Sequence, residues 1–90
     1  MVGVYEVRFT PHAIDDLAQL DKAVAQRVLN KLRWLGENFE AITPESLTAD
    51  WQGVYKLRVG DYRVLYTVEH PERCLIVHYV KHRSEVYKTR

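Results

Sequence analysis

Two hydrophobic periodicities share this chain, and the first changeover comes within a dozen residues. From Val4 to Phe9 the pattern alternates, with Tyr5, Val7 and Phe9 on one side and Glu6 and Arg8 on the other, as in a half-buried strand. Thr10-Pro11 then supplies a helix N-cap and a first-turn proline, and Ile14, Leu17 and Ala18 form an apolar stripe behind them. Asp21 can cap a second helix. In it Val24, Val28, Leu32 and Leu35 recur at helical spacing, and Gly36 is expected to end it. The two helices read as a hairpin.

From Glu37 to Gly53 the periodicity lapses, with Pro44 barring a long element and "PESL" (residues 44–47) expected to form a single turn. Alternation returns in residues 54–59, 62–69 and 74–82, rich in β-branched and aromatic residues and separated by turn signals at Gly60-Asp61 and His70-Pro71. The expected fold is α+β. An N-terminal strand and a helical hairpin precede a three-strand antiparallel meander, the helices cover one sheet face, and a short helical turn closes the chain.

A two-residue Gly60-Asp61 loop pairs Val59 with Tyr62, and so sets Arg58 directly opposite Arg63. Tyr55, Leu57, Val59, Tyr62, Val64 and Tyr66 then share the face that packs on the helices. Lys56, Arg58, Arg63 and Leu65 share the other. Like charges facing each other across an antiparallel pair are unfavourable. Two readings stay open: solvated cations on an exposed sheet face, or a site where an anion sits between them.

Ninety residues make one domain, 1–90, with room for one small core. The absence of a long apolar run, of a signal-type N-terminus and of a second cysteine beside Cys74 leads to the expectation of a cytoplasmic protein without disulfides. Net charge is only +1, which excludes a bulk polycationic coat for nucleic acid. Its distribution is uneven: from Gly53 onward eight cations face four carboxylates, +4, which leaves −3 for the first 52 residues.

The cations gather at the end of the chain. With Ser84 as cap of a last helical turn, Arg83 and Tyr87 fall four residues apart on one side of it, just after His82. If that turn folds back on the sheet face, the chemistry is that of phosphate. Arginine forks fit phosphate oxygens, several cations stabilise a pentavalent transition state, and histidine or a tyrosine among cations can move protons. RNA carries its own nucleophile in the 2′-hydroxyl, so such a site needs no metal.

Other signals read as structural. His78 and His82, four apart on a strand, stand roughly 13 Å apart, too far to share a metal ion. Cys74 is expected to be structural, Asp15-Asp16 to be helix surface, and Trp34 and Trp51 to be core, the alternative being that they stack on bases. His12 and His70 show no partner in the sequence.

"YKLRVGDYRVLYTVE" followed by "VHYVKHRSEVY" resembles the RelE/ParE superfamily of bacterial toxins, with its Arg-Val-Gly-Asp-Tyr-Arg hairpin and closing His-Arg-x-x-hydrophobic-Tyr. The resemblance covers nearly the whole chain and is most specific in Leu57 to Tyr66 and Val80 to Tyr87. It implies a toxin of a toxin–antitoxin pair. For the RelE-like branch it implies a metal-free endoribonuclease without cofactors that cuts mRNA in the ribosomal A site, with the ribosome, mRNA and a cognate antitoxin as partners. Carried over by position, Arg63 is the phosphate-stabilising arginine, Lys56 and Arg58 are basic residues of the preceding strand, and Tyr87 is the terminal tyrosine acting as base or stacking group, with Tyr87 or Lys56 expected to take the 2′-hydroxyl proton. Lys81 stands where some members have arginine, and His82 with Arg83 is then expected to take the leaving-group and phosphate roles. The alternative within the superfamily is a ParE-like toxin that inhibits DNA gyrase by binding, without nuclease activity.

Overall fold

The computed structural model describes residues 4–47 and 53–86. The elements are β1 (Glu6–Phe9), α1 (Pro11–Ala18), α2 (Lys22–Asn38), a 3-10 turn (Phe39–Ala41), β2 (Glu45–Ser46), β3 (Tyr55–Val59), β4 (Tyr62–Glu69), β5 (Cys74–His82) and α3 (Arg83–Val86). They build the expected α+β architecture around one five-stranded sheet, in the order β1-β5-β4-β3-β2. Val28, Leu32 and Leu35 of α2 meet Val64, Tyr66, Leu75, Val77 and Val80 of the sheet in the core. Burial pushes the Tyr66 phenol up to about 12. Among the described residues no helix is long and apolar enough to cross a membrane.

Thr10 caps α1 as expected, its hydroxyl accepting the Ala13 N–H at 3.1 Å. Gly36, however, does not end α2, which runs on to Asn38. The glycine serves a close approach instead. The Tyr5 N–H donates to the Gly36 carbonyl at 2.9 Å, and a Cβ at Gly36 would stand 2.6 Å from the Tyr5 carbonyl oxygen. β1 thus crosses the last turn of α2 and satisfies a carbonyl the helix leaves open.

The segment expected to make a lone turn before the meander forms β2, whose Glu45 and Ser46 pair antiparallel with Lys56 and Tyr55. At the other side of the sheet β1 pairs in parallel with β5, Glu6 to Cys74 through Phe9 to Val77. β1 stops at Phe9, and α1 covers the edge of β5 beyond it. The Thr10 N–H reaches the Val77 carbonyl at 3.0 Å, and the Asp16 carboxylate accepts the Val80 N–H at 3.0 Å.

A β-bulge decides the far end of β5. Leu65 pairs with Tyr79 but Tyr66 with Val77, so His78 is the extra residue. Val77 and Val80 are three apart, and strict alternation would send them to opposite faces. With the bulge, both are buried.

Candidate functional site

The β3–β4 hairpin has the register its loop demands: Val59 opposite Tyr62, Arg58 opposite Arg63. Gly60 opens the loop at φ +57°, a conformation cheap only for residues without a Cβ. Because of the bulge, the next residue in this row on β5 is Lys81. An unbulged ladder would have set Val80 there. Arg58, Arg63 and Lys81 therefore form one cationic row across three adjacent strands, about 10 Å from end to end at the usual strand spacing.

The three cations are held differently. Arg63 is buried, at 8% exposure, and its Nη1 donates to the Gly60 carbonyl at 2.9 Å and the Tyr62 carbonyl at 3.0 Å. The hairpin's own backbone thereby offsets part of the Arg58–Arg63 repulsion. It also fixes the guanidinium plane while leaving, among the described residues, the Nε and Nη2 donors, the edge that forks onto a phosphate. Lys81 reaches over to α1, its Nζ 3.1 Å from Asp16 Oδ1. Arg58 is exposed and, among the described residues, has no hydrogen bond or ion pair.

Lys56 lies one pleat away on the same face of β3, with its ammonium 3.6 Å from Glu45 of β2. His82 is placed elsewhere: it pairs with Tyr62, the two rings meeting edge to face at 5.4 Å, on the side of the sheet that carries the helices. There it caps α3, its Nδ1 accepting the Ser84 N–H at 3.2 Å and lying 3.0 Å from Ser84 Oγ. The cap expected of Ser84 is thus supplied by His82, the last strand residue. Arg83 is exposed and joined to the hairpin, its N–H donating to the Asp61 carbonyl at 2.8 Å and its Nε 4.0 Å from the Asp61 carboxylate. Tyr87 and Trp51 lie outside the described residues.

Several side chains read as bland in the sequence are not. Asp16 is buried at 8% exposure and gathers the Val80 N–H, Lys81 and, at 3.6 Å, His12. His12 also packs edge-on against Tyr79 at 4.7 Å, and His70 shares a 3.1 Å hydrogen bond with the Tyr5 hydroxyl. Trp34, expected in the core, is 42% exposed on α2 with Lys31 Nζ 4.3 Å from its ring centre. Cys74 is buried, and that burial raises its thiol above the ordinary range, which suits an inert structural residue. Among the described residues no cluster of three or more His, Cys, Asp or Glu could hold a metal ion.

Comparison with known proteins places the fold. The family model described as the ParE toxin of type II toxin–antitoxin systems, parDE, matches residues 7–87. The RelBE2 toxin–antitoxin complex of Mycobacterium tuberculosis contains a chain 27% identical, with a TM-score of 0.78, covering 89% of this chain and 99% of that one. The RelE–RelB complex of Pyrococcus horikoshii gives 26% identity and a TM-score of 0.69, covering 89% and 96%. A free double arginine-to-alanine variant of the E. coli toxin RelE gives 25% identity and a TM-score of 0.73, covering 94% and 92%. A search of curated protein sequences finds no significant match. On the family model and the shared fold, the chain belongs to the ParE-type toxins of type II toxin–antitoxin systems, in the RelE/ParE superfamily, with the fold of the RelE toxins.

Proposed function

We propose that this toxin is a metal-free, ribosome-dependent endoribonuclease that cleaves mRNA and so stops translation. The observation that carries the reading is the row of Arg58, Arg63 and Lys81 across β3, β4 and β5, with Lys56 beside it. Asp16 and Glu45 already offset Lys81 and Lys56, but Arg58 and Arg63 face each other with no carboxylate beside them among the described residues, so an anion between them would relieve their repulsion, and a phosphate suits two guanidinium forks.

In the proposed reaction the 2′-oxygen of the substrate attacks the adjacent phosphorus. A bond forms between the 2′-oxygen and phosphorus, and the bond from phosphorus to the 5′-oxygen breaks. The 2′-hydroxyl proton passes to the Tyr87 phenolate, and the leaving 5′-oxygen takes a proton from water, giving a 2′,3′-cyclic phosphate and a free 5′-hydroxyl. Arg63 and Arg58 hold the charge of the pentavalent transition state. Lys81 neutralises the leaving oxygen, and Lys56, paired with Glu45, acts through its charge. His82 and Arg83 act one step back: His82 caps α3 and Arg83 ties it to the hairpin. A cognate antitoxin is the expected partner, as in the RelE–RelB complexes of similar fold.

A second reading is favoured by the family model, whose description is of a ParE toxin: inhibition of DNA gyrase by binding, without RNA cleavage. The turn of His82 toward the helices also suits it, since one proposed acid leaves the cationic face. Primer-extension mapping of an mRNA incubated with the protein, with and without translating ribosomes, separates the two. Cuts that need ribosomes and disappear in Arg63→Ala and Tyr87→Phe support the nuclease. Intact mRNA together with blocked supercoiling by gyrase would establish the second reading instead.

A further inference from the structure

Beside the cationic row, a hollow of about 510 Å³ opens between α2 and the end of β3, walled by Arg27, Lys31, Trp34, Arg58 and Gly60 and with no carboxylate in its lining. A second hollow of about 280 Å³, toward Pro44 and Lys56, shares Lys31, Trp34 and Arg58 with the first. Arg27, Lys31 and Trp34 recur at i, i+4 and i+7, so they stand in one stripe along α2. The indole is nearly half exposed, and the Lys31 ammonium stands 4.3 Å from its ring centre. Among the described residues neither Arg27 nor Arg58 has an ion-pair partner. Arg58 belongs both to this hollow and to the row on the sheet, so the two surfaces meet at the end of β3, past its pairing with β2.

We propose that this hollow is a second contact for single-stranded RNA. The strand crosses the β3 edge at Arg58, a nucleotide flanking the scissile phosphate stacks on Trp34, and Lys31 and Arg27 take the neighbouring phosphates. Alternating cations and an exposed indole suit a ligand that carries phosphates and flat bases at a regular repeat. An acidic peptide answers the cations but leaves the indole with nothing to stack on it, and so fits the surface less well. The inference rests on the nuclease reading for the direction of the strand.

The test uses the full chain and a labelled 2′-O-methyl oligoadenylate, which has no free 2′-hydroxyl and cannot be cut, with binding read by fluorescence anisotropy at two salt concentrations. Trp34→Ala is expected to weaken binding about 5- to 100-fold, the usual value of one base–aromatic stack, and Trp34→Phe to restore most of it. Lys31→Ala is expected to weaken binding and flatten its salt dependence by about one phosphate contact. Trp34→Ala binding within about twofold of the parent, while Arg58→Ala binds poorly, overturns the inference and confines the RNA to the cationic row of the sheet. A parent chain that does not bind the probe overturns it as well. Cleavage on ribosomes is scored separately, so loss of the nuclease reading and loss of this contact are distinct results. An unchanged urea midpoint for each variant shows that the fold is intact.

Discussion

Replacing Asp16 by alanine removes a carboxylate that two elements share. In the folded chain its Oδ2 accepts the Val80 N–H at 3.0 Å and its Oδ1 meets Lys81 Nζ at 3.1 Å, with 8% of the residue exposed. Alanine leaves the Val80 N–H buried without an acceptor, at a cost of about 1–3 kcal/mol. The Lys81 contact adds little, about 0.2–1 kcal/mol, because a third of that side chain is solvated. The total is about 1–4 kcal/mol out of the roughly 5–13 kcal/mol expected of a 90-residue domain. At about 4–8 °C per kcal/mol in a chain this size, the melting temperature should fall by roughly 5–30 °C. Asp16→Asn keeps an oxygen for the Val80 N–H and loses only the charge, so its cost should stay near 1 kcal/mol. Urea unfolding followed by far-UV circular dichroism measures both. An alanine variant within about 0.5 kcal/mol of the parent would refute the assignment, and so would an asparagine variant as unstable as alanine.

Gly36→Ala should destabilise by about 1–3 kcal/mol although alanine is the better helix former, because its Cβ would press on the Tyr5 backbone at 2.6 Å; a more stable variant in the same urea assay would contradict the close approach. Deleting His78 removes the bulge residue but leaves Arg63 opposite Lys81, so RNA cleavage should persist while the Thr67–His78 hydrogen bond is lost at a cost of about 0.5–1.5 kcal/mol; a folded deletion variant that no longer cleaves would disprove the role given to the row. For Tyr66 the folded phenol is raised to about 12 from the usual 10. Its neutral form is therefore the one the fold favours, and stability should fall by about 2 kcal/mol as pH rises from 10 to 12, the unfolded chain losing its proton first. Tyr66→Phe should flatten that part of the profile in chemical denaturation, and an unchanged slope would place the effect elsewhere.

Local patterns in this chain are strong where a neighbour in sequence decides the geometry. Thr10-Pro11 opens α1, alternation marks β1, and the two-residue Gly60-Asp61 loop sets Arg58 opposite Arg63, because a short loop leaves the backbone one way to turn. The motif around that hairpin also carried the superfamily resemblance. Gly36 misled, since a helix-ending glycine and a glycine that admits a crossing strand look alike until the strand is in place. The run Val77-His78-Tyr79-Val80 held a hint of the bulge in its broken alternation, but the remedy needs the β4 partner to be known.

The candidate site divides along the same line. Its hairpin cations, Lys56, Arg58 and Arg63, follow from the sequence by itself, as do the α+β order of elements and the basic second half of the chain. That Lys81 joins their row, that His82 turns to the helix side and caps α3, that Asp16 is buried and that Trp34 is open to solvent were decided only by the tertiary structure. The reason is physical. A strand's alternation and a helix's stripe are local, but one extra residue in β5 reverses which face every later side chain takes. Burial of Asp16 depends on β1 ending early enough for a helix 64 residues away in sequence to cap the exposed edge of β5.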